Sequence, residues 1–298
     1  MAILIDPPRW PAHGTHFSHL VSDSSLAELH AFATAAGILP RAFDHDHYDV
    51  AARRYDDLVS QGAVAVEPQE LLRRLLSSGL RVRPPQRTPN AAMVLPVLQA
   101  AWDGLLPGEP QLRDDLLVRW QEPHRAYHDV RHLAQVLQAA SHLSSGRAPR
   151  PVRLAAWFHD AVHDGTAGVD ERASADLVLE LLDATPVPAA EIEEVARLVL
   201  LTIDHDPEPG DRDGAVLADA DLSVLGQTPG RYHVYVRDVM VEYGHLVPDD
   251  FRAGRLQVLE SLAARDPLFR TPLGRASWEA AARRNLAEEQ QRWRPSEP

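Results

Sequence analysis

The spacing of apolar residues divides the chain near residue 90. Before it, short apolar runs alternate with helical periodicity. Ala2-Ile3-Leu4-Ile5, ended by Asp6-Pro7-Pro8, predicts a first or edge strand. Between Ser24 and Ala36, Leu26, Leu29, Ala33 and Ala36 recur at helical spacing, with Ser24 or Asp23 as the expected cap and Gly37 as the stop. Ala63-Val64-Ala65-Val66 predicts a buried strand, Pro68–Ser77 a helix, and Leu80-Arg81-Val82 a further short strand after Gly79. Strand, helix and strand in this order suggest a βαβ-like arrangement.

The proline-dense stretch Arg83-Pro84-Pro85-Gln86-Arg87-Thr88-Pro89 predicts an extended linker. Beyond it the pattern is helical nearly to the end, over 91–106, 128–144, 151–163, 170–183, 189–203, 219–225, 229–245, 249–264 and 275–293. The expected fold class is α+β in two domains: a small α/β unit over 1–83, a linker over 84–90 and an all-α domain over 91–298. Tyr232, Tyr235, Val236, Val239 and Tyr243 form a helical stripe expected in the core, with Glu242 in its tail. Glu288-Glu289 and Arg292–Arg294 are expected to form a solvated end.

Composition acts by exclusion. All 30 basic residues are Arg, and Lys and Cys are both absent. Disulfides, thiolate nucleophiles, Cys-ligated metals, Schiff bases and a phosphate-loop lysine are therefore excluded. The remaining chemistry belongs to His, Asp, Glu, Arg, Ser, Thr and Tyr, with 15 His present. A net charge of -13 argues against a broad nucleic-acid-binding face. No apolar run has the length of a membrane span, and Met1-Ala2-Ile3-Leu4-Ile5-Asp6 does not read as a signal peptide, so a cytoplasmic location is expected.

His-Asp occurs five times, so context must select among the copies. Leu154-Ala155-Ala156-Trp157-Phe158-His159-Asp160-Ala161-Val162-His163-Asp164 places imidazoles and carboxylates on an otherwise apolar helix. Unpartnered, they would cost several kcal/mol there; a shared divalent cation would offset that. Upstream, His128 and His132 stand four apart in Tyr127-His128-Asp129-Val130-Arg131-His132, and Val136 continues their face, which points His132 inward. Downstream, Asp219 and Asp221 are expected to begin an apolar helix, where a carboxylate suits the helix dipole.

These segments resemble the HD superfamily of metal-dependent phosphohydrolases, with ligands in the order H…HD…D. The first two are also similar to the Y-H-N-x-x-H and H-D-x-x-H-x-G motifs of cyclic-nucleotide phosphodiesterases, and Asp221-Leu222-Ser223 resembles that family's D-L-S. The likeness covers roughly 91–270. It implies that His132, His159, Asp160 and Asp221 hold a metal, with Asp219 a rival for the last place. It also implies that His128 protonates the leaving oxygen and that His163 stands beside a second metal or its bridging water. Asp129 replaces the motif's asparagine, and the residues of cyclic-nucleotide specificity are not recognisable. The implied cofactor is a divalent ion among Mn, Mg, Fe, Co, Ni and Zn.

Arg125, three residues before His128, fits either a phosphate clamp or a surface arginine at a helix start. Glu171 fits a carboxylate behind a ligand His or a solvated helix start, and His205 fits the site or a polar loop. In the N-terminal unit, the stretch from Asp6 to Gly14 with His16 and His19, together with Asp44–Asp49 and Gly62–Val66, resembles a small bacterial domain of unknown function. Its histidines invite a metal or nucleotide site, or simply form a His-rich surface, while Trp10 reads as a packing anchor.

The expected function is hydrolysis of a phosphate ester or anhydride of a nucleotide or other small molecule by a metal-activated water. The alternative is a nucleotide-sensing module with a non-catalytic metal. The expected partner is a small phosphorylated substrate, with no membrane and no broad nucleic-acid binding.

Overall fold

Leu4 and Ile5 are fully buried, so the first apolar run forms strand β1 (Ile3–Ile5) inside a sheet. The computed structural model describes residues 1–82, 87 and 89–294. Contacts divide the chain into one unit of Met1–Arg87 with Thr228–Val234, and a second of Thr88–Gln227 with Tyr235–Pro298. The first is a small α/β unit and the second is predominantly helical. Residues 83–86 and 88 of the expected linker lie outside the described residues.

The first unit adds β2 (Trp10–Ala12), β3 (Thr15–Ser22), α1 (Leu26–Ala35), β4 (Phe43–Asp44), β5 (His47–Ala51), α2 (Tyr55–Ser60), β6 (Val64–Ala65) and α3 (Pro68–Ser77). The strand order is β4-β5-β3-β1-β6, with β2 also on β3. Every pairing is antiparallel except β1 with β6. Alternation along β3 and β5 puts Ser18 opposite Val50 and Leu20 opposite Tyr48, all buried, while His19 opposes Asp49 on the other face.

Several expectations change here. The cap of α1 is Ser25, whose hydroxyl accepts the Glu28 amide. β6 is an edge strand with Val64 exposed, because it pairs only with β1. Leu80 and Val82 are buried without joining a ladder, the Val82 amide donating instead to Asp46 Oδ2 at 2.6 Å. β3 and β5 were not anticipated: their His, Ser and Thr read as loop, although they alternate.

The second unit contains α4 (Ala91–Asp103), α5 (Pro110–Arg119), α6 (Val130–Leu143), α7 (Arg150–Phe158), α8 (Asp170–Asp183), α9 (Ala189–Leu201), α10 (Arg212–Asp221), the later part of α11 (Pro229–Glu242), α12 (Pro248–Ala264), the single turn α13 (Pro272–Gly274) and α14 (Ala280–Trp293). Trp102, Trp120, Trp157 and Phe158 are fully buried in its core. α5, with Pro110 in its first turn and Leu112, Leu116 and Leu117 buried, was not anticipated. No helix among the described residues is long and apolar enough to cross a membrane.

Two boundaries bear on chemistry. α7 stops at Phe158, so His159–Asp164 forms a turn rather than more helix. α10 begins at Arg212 with Asp211 as its cap, so Asp219 and Asp221 lie in its last turn, not its first. The helix dipole therefore opposes these carboxylates, and other groups must hold them.

The expected solvated end of α14 is also corrected. Glu289 is buried and pairs in a fork with Arg255 of α12, at 2.8 and 3.0 Å, while Arg255 also donates to the Tyr235 hydroxyl at 2.9 Å. Removing one partner strands a buried charge. Glu289→Ala is expected to cost about 3–5 kcal/mol in urea unfolding, and Arg255→Met/Glu289→Leu together much less than the sum of the single changes.

Candidate metal centre

Helices α6, α7 and α10 pack against one another and bring three chain segments to one point. His132 lies in the first turn of α6, with its buried side chain turned inward on the same face as Val136. His159 and Asp160 leave the end of α7. That end is fixed because the Trp120 indole donates to the Trp157 carbonyl at 2.9 Å, one of the carbonyls a helix terminus leaves unpaired. Asp221 ends α10.

The donor atoms converge. His132 Nε2 is 3.1 Å from His159 Nε2, 3.1 Å from Asp221 Oδ1 and 3.6 Å from Asp160 Oδ2. His159 Nε2 is 3.2 Å from Asp160 Oδ2 and 3.7 Å from Asp221 Oδ1. With bonds of about 2.0–2.2 Å, neighbouring donors on one ion stand roughly 3.0–3.5 Å apart, so these separations fit a single cation. His159 Nδ1 donates to the Ala156 carbonyl at 2.9 Å, which leaves Nε2 as the lone-pair nitrogen of the neutral ring. With the carboxylates beside them, these imidazole nitrogens form a group that could hold a metal ion.

The electrostatics agree. Burial pushes His159 down, but the charges of Asp160 and Asp221 outweigh it and hold it at about 9. Burial works to raise Asp160 and Asp221, yet His159 and the neighbouring imidazoles keep both well below the usual carboxylate range. His205 supplies part of this, its Nε2 donating to Asp221 Oδ2 at 2.7 Å. Residue 205 therefore belongs to the site rather than to a free polar loop.

A second constellation adjoins the first. Glu242, expected only as the tail of a core stripe, is buried; its Oε2 accepts the amides of Ala126, Tyr127 and His128 at 2.9, 2.9 and 3.0 Å. Its Oε1 accepts from His128 Nδ1 at 2.5 Å and from His163 Nε2 at 2.9 Å. Burial works to raise Glu242, but the hydrogen bonds from His128 and His163 drive it far below its ordinary value. Burial pushes His128 down against the pull of Glu242, whereas for His163 the Glu242 bond and the Asp160 charge overcome burial and raise it. Nothing in the sequence marked Glu242, which is more than a hundred residues from His128.

Other expected residues take different places. His128 precedes Asp129, the cap of α6, so it is not on one helix with His132, although the rings stand 5.4 Å apart. Asp129 accepts the Arg131 amide at 2.7 Å, a capping role that asparagine and aspartate share. Arg125 is neither a phosphate clamp nor a surface arginine. Its side chain is fully buried and donates to Glu122 and to the carbonyls of His128, Asp160 and Ala161, tying the first two motifs together. Asp219 does not join the donors: its oxygens accept the Arg270 and Thr271 amides and the Thr271 hydroxyl at 2.6–2.8 Å. Glu171 accepts the Gly168 amide at 2.6 Å rather than bonding a ligand His. Asp170 accepts the amides of Asp164, Gly165 and Thr166, fixing the turn that carries His163.

Between the constellations lies a cavity of about 150 Å³, lined among others by His128, Asp160, His163, His205, Asp221 and Tyr243. Among the described residues, no arginine lines it.

Residues 3–78 match the model of a family described as a protein of unknown function, DUF4031. This agrees with the resemblance of the N-terminal unit to a domain of unknown function and does not extend to the helical unit. No curated protein matches the chain. No solved structure matches it either.

This geometry separates the two rival acids. After dialysis against manganese or zinc, Asp221→Asn is expected to lose bound ion from the helical unit. Asp219→Asn is expected to keep it while losing about 1–3 kcal/mol of stability, measured by metal analysis beside thermal unfolding.

Proposed function

We propose that the helical unit is a metal-dependent phosphohydrolase of the HD type, cleaving a phosphate ester or anhydride of a nucleotide or other small molecule. The observation that supports this best is the convergence of His132, His159, Asp160 and Asp221 on one point beside a cavity that His128 also lines. A divalent ion among Mn, Mg, Fe, Co, Ni and Zn, held by these four residues, would neutralise a phosphoryl oxygen and make a bound water acidic enough to attack.

The chain's own residues supply the rest. Asp160 and Asp221 are the cavity-facing donors, their side chains 16% and 14% exposed against 1% for His132 and His159. His128 donates Nδ1–H to Glu242, which fixes its tautomer and leaves Nε2 for exchanging a proton with the leaving oxygen. Glu242 is itself held by three backbone amides, so the His128 ring has a rigid support. His163 donates to the same Glu242 oxygen, and its ring, 4.1 Å from that of His128, opposes a second positive charge there. With no arginine among the described residues lining the cavity and Asp160, Asp170, Glu171 and Asp221 around it, substrate phosphate would depend on the ion for its countercharge.

The test is turnover by the full chain, stripped with chelator and reloaded with each ion, against nucleotides and simple phosphate esters. Phosphate release that vanishes with chelator and in Asp160→Ala is expected. Glu242→Gln is expected to lower kcat by about 10²–10⁴-fold while bound ion is retained. Bound ion with no turnover for any substrate would replace this reading with a nucleotide-sensing module whose metal is not catalytic.

A further inference from the structure

We propose that the sheet of the N-terminal unit carries a metal site of its own, formed by His19 Nε2, His47 Nε2 and the Asp49 carboxylate, with a coordination position open to solvent. It is independent of the reading of the helical unit, and the fused family of unknown function supplies no such assignment.

Strand geometry places the ligands. His47 and Asp49 are two apart on β5, so they share a face. His19 of β3 is directly opposite Asp49 in the ladder. The three donor atoms lie within 4.8 Å of one another. His47 Nε2 is 3.5 Å from Asp49 Oδ1 and His19 Nε2 is 3.9 Å from it. The Asp49 side chain is 48% exposed, so a small rotation brings its oxygen to the roughly 3.4 Å expected between tetrahedral donors.

The support behind each ring is the stronger observation. His19 Nδ1 donates to Asp6 at 3.0 Å and His47 Nδ1 to Asp46 at 2.7 Å, and both acids are buried. Each acid is fixed in turn. Asp6 accepts the His19 amide and the Trp10 indole, and Asp46 accepts the Val82 amide and the Arg81 guanidinium. Two separate carboxylate–imidazole pairs thus fix both rings in the same orientation, with both Nε2 atoms turned toward one further carboxylate. Such carboxylate–histidine pairs are the usual support of ligating imidazoles, raising their basicity and fixing their orientation. An ordinary ion pair would account for His47 between Asp46 and Asp49, but not for the same arrangement repeated at His19.

Two imidazoles and one carboxylate favour zinc or a similar first-row ion over calcium or magnesium, which take oxygen ligands. Three protein ligands with solvent access leave the fourth position for water or an anionic ligand.

The experiment is zinc content and cobalt absorption of the full chain after loading and exhaustive dialysis, for wild type, Asp49→Asn, His19→Asn and Asp221→Asn. Asp49→Asn and His19→Asn are expected to hold one ion fewer than wild type and to lose a tetrahedral cobalt band, with the circular dichroism unchanged. Asp49, being half exposed, keeps the test valid if His19→Asn disturbs the sheet. Asp221→Asn is expected to retain that band, so failure of the helical site and failure of this one read separately. Equal zinc content and an unchanged cobalt spectrum in wild type and Asp49→Asn would overturn the proposal.

Discussion

The helical unit depends on a problem of buried charge. Two imidazoles and two carboxylates meet where three helices cross, and Asp221 lies at the helix end whose dipole opposes it. No one of these groups is tolerable alone in that position. Together they make an arrangement that could hold a cation, and the surrounding structure keeps them together. His205 holds the second oxygen of Asp221, Trp120 fixes the end of α7, and Arg125 bridges the backbone of the first two motifs.

Glu242 solves the same kind of problem beside it. A carboxylate with three amides on one oxygen and two imidazoles on the other is satisfied in every direction, which explains why it stays ionised far below the usual carboxylate range. It orients the ring of His128 as Asp6 orients that of His19 and Asp46 that of His47. Both units therefore repeat one device: a buried acid, itself anchored by backbone or side-chain donors, that aims a histidine. In a chain without cysteine or lysine, this is the chemistry left for positioning a reactive nitrogen.

The reassignment of Arg125 follows from its burial. A fully buried guanidinium with four of its five N–H groups bonded to Glu122 and to the carbonyls of His128, Asp160 and Ala161 cannot present a two-pronged contact to a phosphate. Its work is mechanical, fixing the distance between the turn carrying His128 and the end of α7. Glu289 shows the converse, a residue expected in solvent that is instead a buried partner of Arg255.

The sequence by itself determined the two-unit α+β order and most of the helices of the second unit, and it singled out His132, His159 and Asp160 as candidates, with Asp221 and Asp219 as rivals. Helical periodicity and apolar surroundings are local signals, and an imidazole set in Ala-Ala-Trp-Phe stands out against them. Tertiary structure alone decided what depends on partners distant in the chain. It separated Asp219 from Asp221, adjacent on one helix turn but bonded to Thr271 and to His132 and His205 respectively. It brought Glu242 to His128, and it folded His19, His47 and Asp49 into one face of a sheet whose strands read as loop. A residue's hydrogen-bond partner is fixed by packing in three dimensions, and the pattern along the chain carries no record of it.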